Sequence, residues 1–300
     1  MKFNRRARLD TSHVRDRRVP GAGRVPGGGR GVAVGGGGIG LVVLIIALLT
    51  GGDPGALLGG GDGSGEPGPS GGALEQCETG ADLDTNAECR FVFVENSVQN
   101  FWEEEFASYG DTYTPAEFNV FSGQVSTGCG TASSQVGPFY CPPDEGVYLD
   151  IEFFKILENQ LGAQGGDFAE AYVVAHEYGH HVQNLTGQMN KVRTQEGRNS
   201  DGVRLELQAD CYAGMWAHYA TTTPGDDGEP LITEVSEDDV AEAIDAAESV
   251  GDDYIQERME GTVTPETWTH GSSSQRHSWF VRGMRSGKRN ACDTFDAREL

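Results

Sequence analysis

Residues 168–183 read FAEAYVVAHEYGHHVQ, and no other stretch constrains the fold as much. Three histidines and Glu177 crowd into residues 176–181 of an otherwise apolar segment. His176 and His180 are four apart, which on an α-helix leaves the two imidazoles about 40° apart on one face. Such a pair can bind one cation. His181 lies about 140° round the helix from His176 and reads as a residue that packs or caps. Glu177 sits about 100° from His176, badly placed as a third ligand but near enough to reach a water on the same cation. This is the H-E-x-x-H arrangement, two zinc ligands with a glutamate as general base. A lone histidine on an apolar helix is more often a satisfied core residue; the spacing of the pair, with a glutamate between, weighs against that here.

A third ligand then has to come from another element, with the fourth position left for water. The segment SDGVRLELQADCYAGMW, residues 200–216, supplies Glu206 and Asp210, again four apart on one helical face. Glu206 is the expected third ligand, and Asp210 the expected acceptor of a hydrogen bond from a ligating histidine, fixing its tautomer. A solvated helix face is the bland alternative. The flanking Leu205, Leu207, Ala209 and Cys211 favour a buried helix instead.

Around this pair the chain reads as a helix-dominated α+β body. Apolar spacing predicts helices over 90–109 and 151–161. Asp167, with Glu170 three later, resembles a capping box for the helix of the opening stretch, and Gly187 lies past its end. Ser236 and Ser272 mark the starts of two more helices. Residues 146–151 are a strand candidate. Residues 113–130, with Pro115 and several glycines, read as irregular.

Charge divides the chain. Residues 1–30 hold nine Lys/Arg against two Asp, a net of +7, so the remainder carries −31 of the overall −24. Between them residues 31–49 contain no charge and end in a dense aliphatic run. As a helix they would be about 28 Å long, close to the thickness of a bilayer core. The expected organisation is a basic cytoplasmic arm (1–30), a single transmembrane helix (31–50), a Gly/Pro-rich flexible linker (51–75) and an extracytoplasmic body (76–300). A cleaved signal peptide is the rival reading; the long basic region and the lack of an immediate small-x-small site fit it less well. The arm would lie against anionic lipid. The acidic body disfavours nucleic acid as a partner, since phosphate binding needs clustered Lys/Arg. Nothing in the sequence fixes an oligomeric state.

Six cysteines, all beyond residue 76, suit an oxidising compartment. Cys77/Cys89 and Cys129/Cys141 are each twelve apart and suggest two local loops, leaving Cys211 with Cys292. Fifteen pairings are possible, so spacing alone leaves the connectivity open.

HEYGHHVQ, RLELQADCYAGMWA, the upstream PFYC and VYLD segments and the downstream THGSSSQR resemble the bacterial neutral zinc metallopeptidase (YpfJ-like) family. The resemblance runs from residue 6 to residue 295. Only the glycine-rich tether and the acidic stretch around 222–229 stand apart from it. It implies a zincin-like fold of the branch with glutamate as third ligand. Carried over by position, it implies His176, His180 and Glu206 on Zn²⁺, with Glu177 as catalytic acid/base on a peptide or protein substrate.

The expected reaction is hydrolysis of a peptide bond, Glu177 taking a proton from water and returning it to the leaving amine. The oxyanion needs a further donor. His270, just before the last predicted helix, is the first candidate and Arg276 the second. Capping of that helix by Ser272 and Gln275, and pairing of Arg276 with a carboxylate, are the structural alternatives. The strand around 147–151 is a candidate edge for holding extended peptide. Two other readings compete: an envelope scaffold or adaptor that holds zinc without turnover, and a zinc hydrolase of a non-peptide amide or ester. Glu177 discriminates, because a purely structural site needs no carboxylate beside its ligands.

Overall fold

A computed structural model describes residues 1–18 and 72–300. The expected transmembrane helix and nearly all of the linker lie outside the described residues. Among those described, no helix is long and apolar enough to cross a membrane.

Residues 1–18 of the expected basic arm pair with the body. Strand β1 (Lys2–Phe3) pairs antiparallel with a distant strand at 232–234, and β2 (Val14–Asp16) enters the main sheet. Its partner β3 (Glu117–Phe121) runs parallel to it, so the chain predicted irregular over 113–130 supplies a central strand. The hairpin β4 (Gln124–Thr127) and β5 (Gly130–Ser133) follows, then β6 (Phe139–Cys141) and β7 (Gly146–Asp150). The main sheet has the order β2-β3-β7-β6, with β6 alone antiparallel. Strand β7, the expected cleft edge, therefore lies inside the sheet, and the edge on that side belongs to β6.

Helix α1 (Cys89–Ser108) and the short α2 (Glu152–Ile156), extended by a π turn at Leu157–Leu161, occupy the predicted positions. Helix α3 (Asp167–Leu185) carries the opening stretch and packs against α1 and strands β6 and β7. Its start differs from expectation. Gly166 (φ 118°) precedes it with no side-chain cap. Instead Glu242 accepts a hydrogen bond from the Phe168 N–H at 3.3 Å, and Glu170 is drawn to Arg90 at 2.9 Å. Helix α4 (Asp201–Tyr219) begins at a Ser200 cap; β8 (Ile232–Glu234) pairs with β1. Helix α5 (Glu237–Ser249) starts in a Ser236 capping box, α6 (Asp252–Glu260) is an addition to the predicted set, and α7 (Ser273–Ser286) starts in a Ser272 capping box.

Close helix crossings set the geometry at the centre. A Cβ on Gly179 would lie 3.0 Å from the Ala209 Cα, so the glycine of HEYGH lets α3 and α4 approach backbone to backbone. Gly214 and Gly283 do the same for α4 and α7, where added Cβ atoms would overlap the Phe280 and Cys211 carbonyl oxygens. The disulfides are Cys77–Cys89, Cys129–Cys141 and Cys211–Cys292, the pairing suggested by spacing. The last closes the longest loop and locks α4 to the C-terminal segment, worth about 4–5 kcal/mol in chain-entropy terms.

Candidate metal centre

Helix α3 is buried on every side through its middle. His176, Glu177, His180 and His181 are all at most 5 % exposed, so each needs a partner or a ligand. The i, i+4 spacing places the His176 and His180 rings 4.8 Å apart, nearly perpendicular. Across the glycine crossing, α4 brings Glu206 to both: its Oε2 is 3.3 Å from His176 Nε2 and its Oε1 3.4 Å from His180 Nε2. One ligand atom from each of the three lies within 4.8 Å of the others, a set that could hold a metal ion.

The other ring nitrogens decide the tautomers. Asp210 Oδ1 is 2.8 Å from His176 Nδ1, as the sequence suggested. The same carboxylate accepts two hydrogen bonds from Arg276, at 2.9 and 2.8 Å, and one from the Tyr172 hydroxyl at 2.6 Å. Burial works against its charge, but Arg276 and His176 outweigh burial and lower it to about 2. An ionised Asp210 is acceptor only, so His176 Nδ1 carries the proton. For His180 the partner is Gln183 Oε1 at 2.8 Å. The Gln183 amide NH₂ donates to the Leu205 carbonyl at 2.7 Å and to Gln208 Oε1 at 3.2 Å, so its oxygen must face the imidazole. His180 Nδ1 is a donor too. Both Nε2 atoms are left with lone pairs aimed at the Glu206 carboxylate.

Acceptors facing acceptors at 3.3–3.4 Å repel unless a cation or a proton lies between them. His176 Nε2 and Glu206 Oε2 are buried without a hydrogen-bond partner, and so are both oxygens of Glu177. Burial lowers His176, but Asp210 and Glu206 raise it to about 9. Burial raises Glu206, and the two imidazoles reverse that and hold it well below an ordinary glutamate. Glu177 is raised by burial. Two neutral imidazoles and a carboxylate form a donor set that suits zinc.

His270 is buried beside this cluster and contributes to holding Glu206 low. The first residue of α6, Asp252, orients it. Asp252 Oδ2 accepts the backbone N–H groups of Thr269, His270 and Gly271 at 2.7–2.9 Å, and Oδ1 lies 3.3 Å from His270 Nδ1. Arg276 does not face the cluster as a free donor. It is fully buried, with its guanidinium engaged by Asp210, Tyr172 and the Val250 carbonyl. His181 turns away, to the Tyr140 hydroxyl at 3.0 Å and the Thr114 carbonyl at 2.7 Å, and burial lowers it to about 4.

Residues 1–295 match the family described as "Putative neutral zinc metallopeptidase". The chain belongs to this family. The Mycobacterium tuberculosis H37Rv protein Rv2575 is 51 % identical over 229 residues, covering 76 % of this chain and 77 % of its own. Escherichia coli K12 YpfJ is 37 % identical over 300 residues, covering 96 % and 97 %. Both relatives are described as uncharacterized proteins, so they supply kinship and no substrate. No solved structure gives a significant match.

Sequence reasoning missed Gln183, Asp252 and Tyr172. Gln183 and Tyr172 were legible in principle, three residues after His180 and four before His176 on the same helix. Asp252 carried no local signal, because it reaches His270 from another helix.

Proposed function

We propose that this protein is a membrane-attached zinc metallopeptidase with a zincin-like domain, in which His176, His180 and Glu206 hold the metal. One observation carries the reading: His176 Nε2, one oxygen of Glu206 and both oxygens of Glu177 are buried together as acceptors without partners. A zinc ion held there supplies Lewis acidity to a water and to a scissile carbonyl.

The protein's own groups supply the rest. Asp210 and Gln183 fix the ligating histidines in the tautomer that presents Nε2. Burial raises Glu177, moving a carboxylate toward the range where it both takes a proton from water and gives it to a leaving amine. Asp252 holds His270 as a donor for the developing oxyanion. The unpartnered Glu177 carboxylate argues against a scaffold with a purely structural site, because a buried carboxylate without a partner is costly unless it has work to do.

Glu177→Gln is expected to keep one zinc per chain and lose peptide-library cleavage by about 100- to 10,000-fold. Elemental analysis and a chelator-controlled cleavage assay read both. Full activity in the variant would refute the general-base assignment, and an inactive, zinc-loaded wild type would favour the scaffold.

A further inference from the structure

We infer that residues 1–18 and the body occupy the same face of the membrane to which the apolar stretch 31–49 attaches the chain. The two flanks of that stretch are parts of one folded unit. Val14, Arg15 and Asp16 register with Phe118, Asn119 and Val120 inside the main sheet. The Phe118 N–H donates to the His13 carbonyl at 2.8 Å, and the Arg17 N–H to the Val120 carbonyl at 2.7 Å. Val14 and Ala7 are fully buried, and Leu9 nearly so, within the same core as the metal-site helices. Residues 18 and 72 emerge side by side: Gly72 abuts the Asp16 side chain, whose Oδ2 accepts the Leu74 N–H at 3.4 Å.

Paired strands stand about 4.8 Å apart, whereas a bilayer core is about 30 Å thick. A single crossing between residues 18 and 72 would put β2 and β3 on opposite faces, which their pairing forbids. The charge split that seemed to hold the arm in the cytoplasm has another use here. Lys2 pairs with Glu234 at 2.6 Å, Arg5 with Asp84 at 2.9 Å and Arg15 with Glu117 at 2.8 Å. Arg18 pairs with Asp16 and Glu88, both at 2.7 Å. Four of the seven Lys/Arg in residues 1–18 thus meet carboxylates of the acidic body, so much of the segment's charge is engaged within the fold. The family match also begins at residue 1, so this segment belongs to the matched unit.

The test uses the full chain in membranes and needs no activity, so it stands or falls apart from the peptidase reading. All six cysteines are in disulfides, leaving no free thiol to label. Arg6→Cys and Asp226→Cys, both at exposed positions, are labelled with a membrane-impermeant maleimide in spheroplasts and in inverted vesicles. Both are expected in the membrane pellet, with labelling that differs at least ten-fold between the preparations in the same direction. Labelling from opposite faces, or recovery of the chain in the soluble fraction, would overturn the inference. Should either variant fail to accumulate, Lys2→Cys combined with Glu234→Cys at the paired, exposed positions is expected to form an intrachain disulfide, seen as faster migration before reduction. Absence of that disulfide in the folded, membrane-bound chain would count equally against it.

Discussion

The helix pair α3/α4 and the N-terminal segment 1–18 were equally visible in the sequence, yet only the helix pair could be placed from it. The pair announces itself by spacing: four-residue intervals put His176 with His180 and Glu206 with Asp210 on single faces, whatever lies around them. The segment carries a local message too, an excess of positive charge, but its partners in the body are strands and carboxylates seventy or more residues away. Periodicity within an element survives without knowledge of the fold. Pairing between elements does not.

Four substitutions or conditions press on that contrast. The largest effect is expected at Asp210→Ala. It leaves the Arg276 guanidinium buried without its carboxylate, costing about 3–5 kcal/mol, and releases the His176 tautomer. Thermal unfolding and zinc titration should both shift; a stable, tightly zinc-binding variant would show that the network is dispensable. Val14→Asp tests the N-terminal segment. A carboxylate in that fully buried strand position should cost about 3 kcal/mol and lower the Tm by roughly 6–12 °C. An unchanged Tm would return residues 1–18 to the status of a loose arm.

Glu95 joins the two regions. It lies between Gln99 and the Tyr178 hydroxyl of α3, and its neighbour Asn96 exchanges hydrogen bonds with the Asp10 backbone at 2.7 and 2.8 Å. Burial raises Glu95 to about 7. A folded-state pKa above the unfolded one means its stabilisation is complete below about pH 4.5 and lost as pH rises through 7, a swing of about 3 kcal/mol. Denaturant melts from pH 4.5 to 8 should show it, and Glu95→Gln should flatten that part of the profile. Gln183→Ala is the mildest, expected to weaken zinc by about 10-fold with little change in Tm. Competition with a chromophoric chelator measures it, and unaltered affinity would remove Gln183 from the group that positions His180.

The predicted helix over 90–109, the helical face at 200–216 and the helix starts at Ser236 and Ser272 came from cap residues and apolar spacing, signals that lie within one element. The strand at 117–121 was hidden because Pro115 and the glycines around it mark turns, and its strand character comes from pairing on both sides with β2 and β7. For Arg276 the sequence left two roles open, oxyanion donor or partner of a carboxylate, and the structure shows the pairing, with Asp210. Its sequence neighbours say only that it lies on a helix; its contact with Asp210 depends on the Gly214–Gly283 crossing.

The sequence by itself determined which residues could share one cation, because a helix converts spacing into direction without help from the rest of the chain. It also favoured the disulfide pairing, since short loops close most readily. The tertiary structure alone decided which nitrogen of each histidine faces the site, that Asp252 steers His270, and that the first eighteen residues complete the sheet. Each of those depends on groups far apart in the chain meeting within hydrogen-bond distance, and no local pattern records such a meeting.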